Sequence, residues 1–154
     1  MVSFDPNIVD ALFRVTTVIG GGWAAWTFWR TAKIRRAEWL SNLHAKFFES
    51  TNYKTVRRIL DYQLEPEFSR LRGAIQTNSY DELVEALVDY LNFFEFVASL
   101  ERLGQLKTKE ISILFQYYLE LICKHEFLRE YIQTQGFEDL QRLLQRCVST
   151  KRHK

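Results

Sequence analysis

The chain has 154 residues, the size of one ordinary domain, and its 21 Lys+Arg against 19 Asp+Glu leave a formal net charge of +2, which excludes a polybasic protein and a highly charged disordered chain. At 47% hydrophobic and 15% aromatic residues it has ample material for a core, and with Gly 6 and Pro 2 it has too few turn residues for an all-β or glycine-rich fold. Cys123 and Cys147, with His44, His125 and His153, supply neither a disulfide framework nor a local zinc-ligand cluster, so a reducing compartment is expected and no metal or cofactor.

Ala11–Trp29 (ALFRVTTVIGGGWAAWTFW) holds a single charge, Arg14, and approaches the roughly 20 residues that cross a bilayer as a helix. It is read as an uncleaved transmembrane helix over 11–30. Three glycines, three threonines and Arg14 make the span a marginal one, and a buried or surface-lying helix is the competing reading. Arg30, Lys33, Arg35 and Arg36 crowd its C-terminal side, which by the positive-inside rule places a short N-terminus, 1–10, outside and the rest in the cytoplasm. Trp23, Trp26 and Trp29 with those four cations are the expected interfacial anchors. At about 100° per residue, Thr17, Gly20, Gly21, Ala24 and Thr31 share one stripe opposite the tryptophans. Gly20/Ala24 and Gly21/Ala25 are small-xxx-small pairs of the kind that let helices approach closely in a membrane, and they point to a homo-oligomer.

Residues 31–148 read as a cytosolic helical bundle, and 149–154 as a basic tail. No breaker separates Trp29 from LSNLHAKFFES, so the span continues as one long helix. Ser50-Thr51-Asn52 caps the next, in which Tyr53, Val56, Ile59 and Leu60 share a face. After Pro66 a short helix over 67–76 turns Phe68, Leu71 and Ile75 inward. Ser79-x-x-Glu82 has the pattern of a capping box ahead of the longest periodicity, Leu83, Leu87, Tyr90, Leu91, Phe94, Val97 and Ala98, which ends near Gly104. Thr108 caps a helix with Ile111, Leu114, Phe115, Tyr118 and Ile122 buried. EFLREYIQ follows, and after Gly136 a last helix buries Leu140, Leu143, Leu144 and Val148. No stretch alternates with the period of a strand, so the expected fold is all-α, one transmembrane helix and a bundle of five to seven helices.

Chemistry-bearing residues are sparse. Glu95 sits among Phe93, Phe94, Phe96 and Val97, where an unpaired carboxylate is costly, so it is expected to pair with Arg57 or Arg58, with Asn92 adding a hydrogen bond. Such a pair is structural, because one carboxylate without a second acid, a histidine or a metal makes no active site. Tyr117 and Tyr118 with Gln116 and Glu120 line either a groove or the core. His125 falls at a helix junction, His44 on a polar face, and Cys123 in an apolar stripe with no histidine placed to activate it. Arg142, Arg146, Lys151, Arg152 and Lys154 make the C-terminus basic, which suits a solvated tail first and a nucleic acid second. Arg146 and His153 formally meet the Arg-x4-6-His spacing of helical ribonucleases of the HEPN superfamily, although the histidine lies beyond any capped helix.

WRTAKIRRAEWL after the apolar run, FFES-x-x-Y-x-x-x-RRILDY, DYLNFFEFVASLERLGQL and HEFLREYI…GFEDLQRLL together resemble a family of small uncharacterised bacterial membrane proteins. The resemblance spans most of the chain and implies an anchor plus a helical cytosolic domain, with no catalytic residues to carry over. In layout the chain is also similar to the small membrane accessory protein of type VI CRISPR loci, which implies an oligomeric pore in antiviral defence. The expected function is therefore a membrane-anchored, non-enzymatic helical protein acting through oligomerisation or a protein partner. A defence pore, and a helical RNA binder or HEPN-like ribonuclease, are the alternatives.

Overall fold

The computed structural model describes residues 6–149, with side chains described in that range apart from 6–15, 18, 19 and 147–149. Seven helices follow one another: α1 (Pro6–Glu49), α2 (Thr51–Tyr62), α3 (Glu67–Thr77), α4 (Glu82–Arg102), α5 (Thr108–Lys124), α6 (Glu126–Thr134) and α7 (Glu138–Ser149). No strand occurs among the described residues. The chain divides into two compact units, Met1–Leu43 and His44–Lys154.

The first unit contains the N-terminal part of α1. Every described side chain from Thr16 to Trp39 is exposed. The transmembrane assignment of 11–30 is corrected here, because no helix among the described residues is long and apolar enough to cross a membrane. The physical reason lies in the segment itself: Arg14, three threonines, three glycines and three indoles dilute the aliphatic residues that make transfer into hydrocarbon favourable. With the span go the single-pass inner-membrane location, the outward N-terminus, the membrane setting of the Thr17, Gly20, Gly21, Ala24 and Thr31 stripe, and the headgroup role given to Trp23, Trp26, Trp29, Arg30, Lys33, Arg35 and Arg36. The long helix continuing past Trp29 is present as α1.

The second unit is built around aromatic residues. Phe47, fully buried near the end of α1, has seven rings about it: its neighbour Phe48, Tyr53 of α2, Tyr90, Phe93 and Phe94 of α4, and Phe115 and Tyr118 of α5, with centroids 4.9 to 6.0 Å away. Several of these pairs are edge-to-face, the arrangement that ring quadrupoles favour. α4 carries the longest buried face, Leu87, Tyr90, Leu91, Phe94, Val97 and Ala98, as its periodicity predicts. α2, with Val56, Ile59 and Leu60 buried, and α7, with Leu140, Leu143 and Leu144 buried, pack against α4, and Phe115 of α5 meets Phe93 and Phe94. Val148 lies outside the described side chains.

The helix ends follow local chemistry. Ser50 caps α2, its hydroxyl accepting from the Tyr53 N–H at 3.4 Å. The cap of α4 is Asp81 rather than Ser79: in extended backbone its carboxylate accepts from the Leu83 N–H at 2.8 Å and from Arg70 Nε at 2.6 Å, tying α3 to α4. At α5 the residue before the first turn is Lys107, whose N–H donates to the Glu110 carboxylate at 2.8 Å, and the Thr108 hydroxyl instead donates to Glu101 at 2.7 Å. Gly104 and Gly136, at φ of +71° and +81°, take the left-handed turns after α4 and α6 that a Cβ would strain.

Candidate functional site

Glu95 and Arg57 are not paired with each other. Glu95 is half-buried on α4, and its two carboxylate oxygens accept from the backbone N–H groups of Asp139 at 3.1 Å and Leu140 at 2.7 Å. These are orphan donors of the first turn of α7, and Phe137 just before that turn has no side-chain acceptor. Glu95 therefore does in trans what an N-cap does in cis, with its negative charge at the positive end of the helix. Arg57 serves the opposite kind of helix end. Its Nη2 donates at 3.1 Å to the carbonyl of Phe48 in the last turn of α1, and its guanidinium carbon lies 4.9, 4.6 and 5.8 Å from the ring centroids of Phe47, Phe48 and Tyr118. A cation over aromatic faces at a helix C-terminus is compensated without a carboxylate. Arg58 and Asn92 are exposed.

Around Glu95 the α4–α7 contact is a polar seam. The Asp139 carboxylate accepts from Ser99 Oγ at 2.8 Å, Arg102 Nε at 2.9 Å and Arg142 Nη1 at 3.0 Å. The Ser99 and Arg102 bonds hold its pKa below the ordinary aspartate value, against a smaller upward push from burial. Glu101 accepts from Arg146 Nη1 at 2.8 Å. Arg142 and Arg146 are thus engaged with carboxylates, and His153, with Lys151, Arg152 and Lys154, lies outside the described residues.

Among the described residues three buried side-chain polar atoms have no hydrogen-bond partner: Arg57 Nε, Tyr90 Oη and His125 Nε2. Burial pushes the Tyr90 phenol well above its usual pKa, and it lowers that of His125, which interacts with the Leu60 carbonyl. Burial raises the Cys123 thiol, which disfavours the thiolate a nucleophile needs. Tyr117 and Tyr118 split between the two sequence readings: Tyr118 joins the Phe47 cluster, whereas Tyr117 is exposed and donates its hydroxyl to Asp61. Among the described residues no group of three or more His, Cys, Asp or Glu is placed to hold a metal ion.

A run of exposed large apolar side chains lies on α1. Trp23, Trp26, Phe28, Trp29, Ile34 and Trp39 are 68%, 54%, 72%, 70%, 50% and 37% exposed. The Trp23 and Trp26 rings are 5.5 Å apart, and the Arg30 guanidinium stacks 5.5 Å from the Trp26 centroid. Arg30, Lys33, Arg35 and Arg36 are exposed beyond them. Thr17, Gly20, Gly21, Ala24 and Thr31 are exposed as well, and Phe28, four residues after Ala24, projects within the same stripe. A Cβ built on Gly20, Gly21 or Gly22 meets nothing within 4 Å.

A second surface escaped the sequence reading. On α4, Glu82, Glu85, Asp89, Asn92 and Phe96 are exposed at spacings of three and four residues, so they form one stripe. The signal was present as the polar complement of the Leu87/Tyr90/Leu91/Phe94 face.

A family model described as a domain of unknown function (DUF4760) matches residues 14–139, and the chain belongs to that family. The match agrees with the resemblance to an uncharacterised family and carries no indication of a membrane location or a defence role. No curated protein and no solved structure matches the chain.

Proposed function

We propose that this member of the family works by binding, and that copies of the chain associate with one another through the N-terminal part of α1. The observation that carries the reading is the run of exposed large apolar side chains from Trp23 to Trp39. Aromatic side chains bury roughly 150–250 Å² each, so at these exposures Trp23, Trp26 and Trp29, which share one side of α1, leave on the order of 400 Å² of apolar surface in water. That is about half of the roughly 800 Å² each partner contributes to a standard interface.

Two features of α1 favour another helix as the cover. Gly22, Trp26, Trp29, Lys33 and Arg36, all exposed, recur at alternating four- and three-residue spacing, the repeat of a helix-packing seam. Gly22, on this seam, costs about 1 kcal/mol inside a helix relative to alanine, and a Cβ built on it meets nothing within 4 Å among the described residues. Close approach of a second helix gives it a use.

All four tryptophans of the chain, Trp23, Trp26, Trp29 and Trp39, lie on α1, so fluorescence excited selectively at tryptophan reports on this helix. On raising the protein concentration, the emission is expected to move to shorter wavelength and acrylamide quenching to weaken as indoles leave water. Emission that stays that of exposed indoles at every concentration contradicts the reading.

A further inference from the structure

Seam residues of α1 taken backwards, Arg36, Lys33, Trp29, Trp26 and Gly22, step by three, four, three and four. The exposed stripe of α4 taken forwards, Glu82, Glu85, Asp89, Asn92 and Phe96, steps by the same intervals.

From this match and from their charges, we infer that α1 of one copy lies antiparallel on the exposed face of α4 of another. The inference rests on the self-association reading and names the surface that receives the helix. In this register Arg36 meets Glu82 and Lys33 meets Glu85. Trp29 and its neighbour Arg30 meet Asp89, Trp26 meets Asn92, and Gly22 meets the 53% exposed ring of Phe96. Small against large is how facing helix positions interdigitate, and opposite charges then align along the first half of the contact. The parallel register fails on both counts, since it sets Lys33 and Arg36 against Asn92 and Phe96 and Gly22 against Glu82.

Charge complementarity selects the occupant. Residues 30–36 carry four cations and no acid. The described hydrogen bonds to Glu85 and Asp89 come from neutral groups, the Tyr80 hydroxyl at 3.2 Å and the Asn52 amide at 3.1 Å, so the negative charge on α4 is not cancelled by them. Repeated in both directions between two copies the contact closes a dimer, and in one direction it builds a ring or filament.

The test is a charge swap read by sedimentation equilibrium of the full chain. Arg30→Glu/Lys33→Glu and Glu85→Lys/Asp89→Lys alter exposed residues only, and far-UV circular dichroism checks that both variants stay folded. Each alone is expected to raise the dissociation constant about tenfold or more, by turning attraction into repulsion. A one-to-one mixture is expected to regain wild-type affinity, because each arm then meets a face of opposite sign. Folded variants that assemble like the wild type, or a mixture no tighter than its parts, overturn this inference and leave self-association through α1 standing. A wild-type chain that stays monomeric overturns both.

Discussion

Replacing Glu95 by alanine removes the acceptor for two backbone N–H groups at the start of α7, Asp139 at 3.1 Å and Leu140 at 2.7 Å, and no neighbouring side chain at Phe137 takes its place. Losing a helix cap costs about 0.5–2 kcal/mol, and stranding part-buried donors of a charge-assisted hydrogen bond lies at the upper end of that range. A loss of about 2 kcal/mol is therefore expected, which for a chain of this size lowers the melting temperature by roughly 4–8 °C. Glu95→Gln retains one acceptor and turns an amide donor towards a backbone donor, so it falls between wild type and Glu95→Ala. Urea unfolding followed by circular dichroism gives the free-energy changes in the full chain, and a thermal scan gives the melting temperatures. The same experiment with Arg57→Leu, alone and combined, separates the two accounts of Glu95. Since Glu95 serves α7 and Arg57 serves α1, the losses are expected to add to within about 0.5 kcal/mol. A coupling of more than about 1 kcal/mol between the two positions, or an unchanged stability in Glu95→Ala, refutes the capping argument.

Three further outcomes follow from the same structure. Arg57→Leu itself is expected to destabilise by about 2 kcal/mol, because the Phe48 carbonyl loses its donor and three rings lose their cation; a change under about 0.5 kcal/mol would contradict this. His125 has a folded pKa below its unfolded value of about 6.5, so below that pH the unfolded chain binds more protons. Its contribution is fully present above the unfolded pKa and is lost as pH falls towards the lowered folded value. His125→Gln should flatten the decline in urea midpoint between neutral and acidic pH, and an unaltered slope would refute it. Burial of the Cys123 thiol predicts that iodoacetamide labels Cys123 more slowly in the folded than in the urea-unfolded chain, as peptide mass mapping can measure; equal rates would contradict it.

The buried faces of the second unit were readable from the sequence because they depend on local periodicity. The spacing of Leu87, Tyr90, Leu91, Phe94 and Val97 is enough to orient α4. Ser50 and Gly104 were readable for the same reason, since a cap and a left-handed turn are settled within a few residues. The partner of Glu95 was not. Its burial follows from its neighbours, but the groups that satisfy it are backbone donors 44 and 45 residues away, and no side-chain charge advertises a helix terminus. Asp81 took the capping role from Ser79 because its backbone is extended and its carboxylate also meets Arg70, a contact between helices that a four-residue pattern does not contain. The apolar run at Ala11–Trp29 misled in another way. Counting charges makes it a span, whereas weighing its glycines, threonines and indoles leaves it short of the apolarity that crossing a membrane demands. The acidic stripe of α4 went unread because attention to the buried face leaves the opposite one as background.

The most direct measurement of the central claim is the mass of the wild-type chain by sedimentation equilibrium over a range of concentrations, beside Trp26→Ala/Trp29→Ala, which removes two exposed rings from the α1 seam. The account predicts that the wild type rises with concentration to a multiple of 18.4 kDa and that the double variant stays nearer the monomer. A wild type fixed at 18.4 kDa throughout, or a double variant that assembles as tightly, would contradict it.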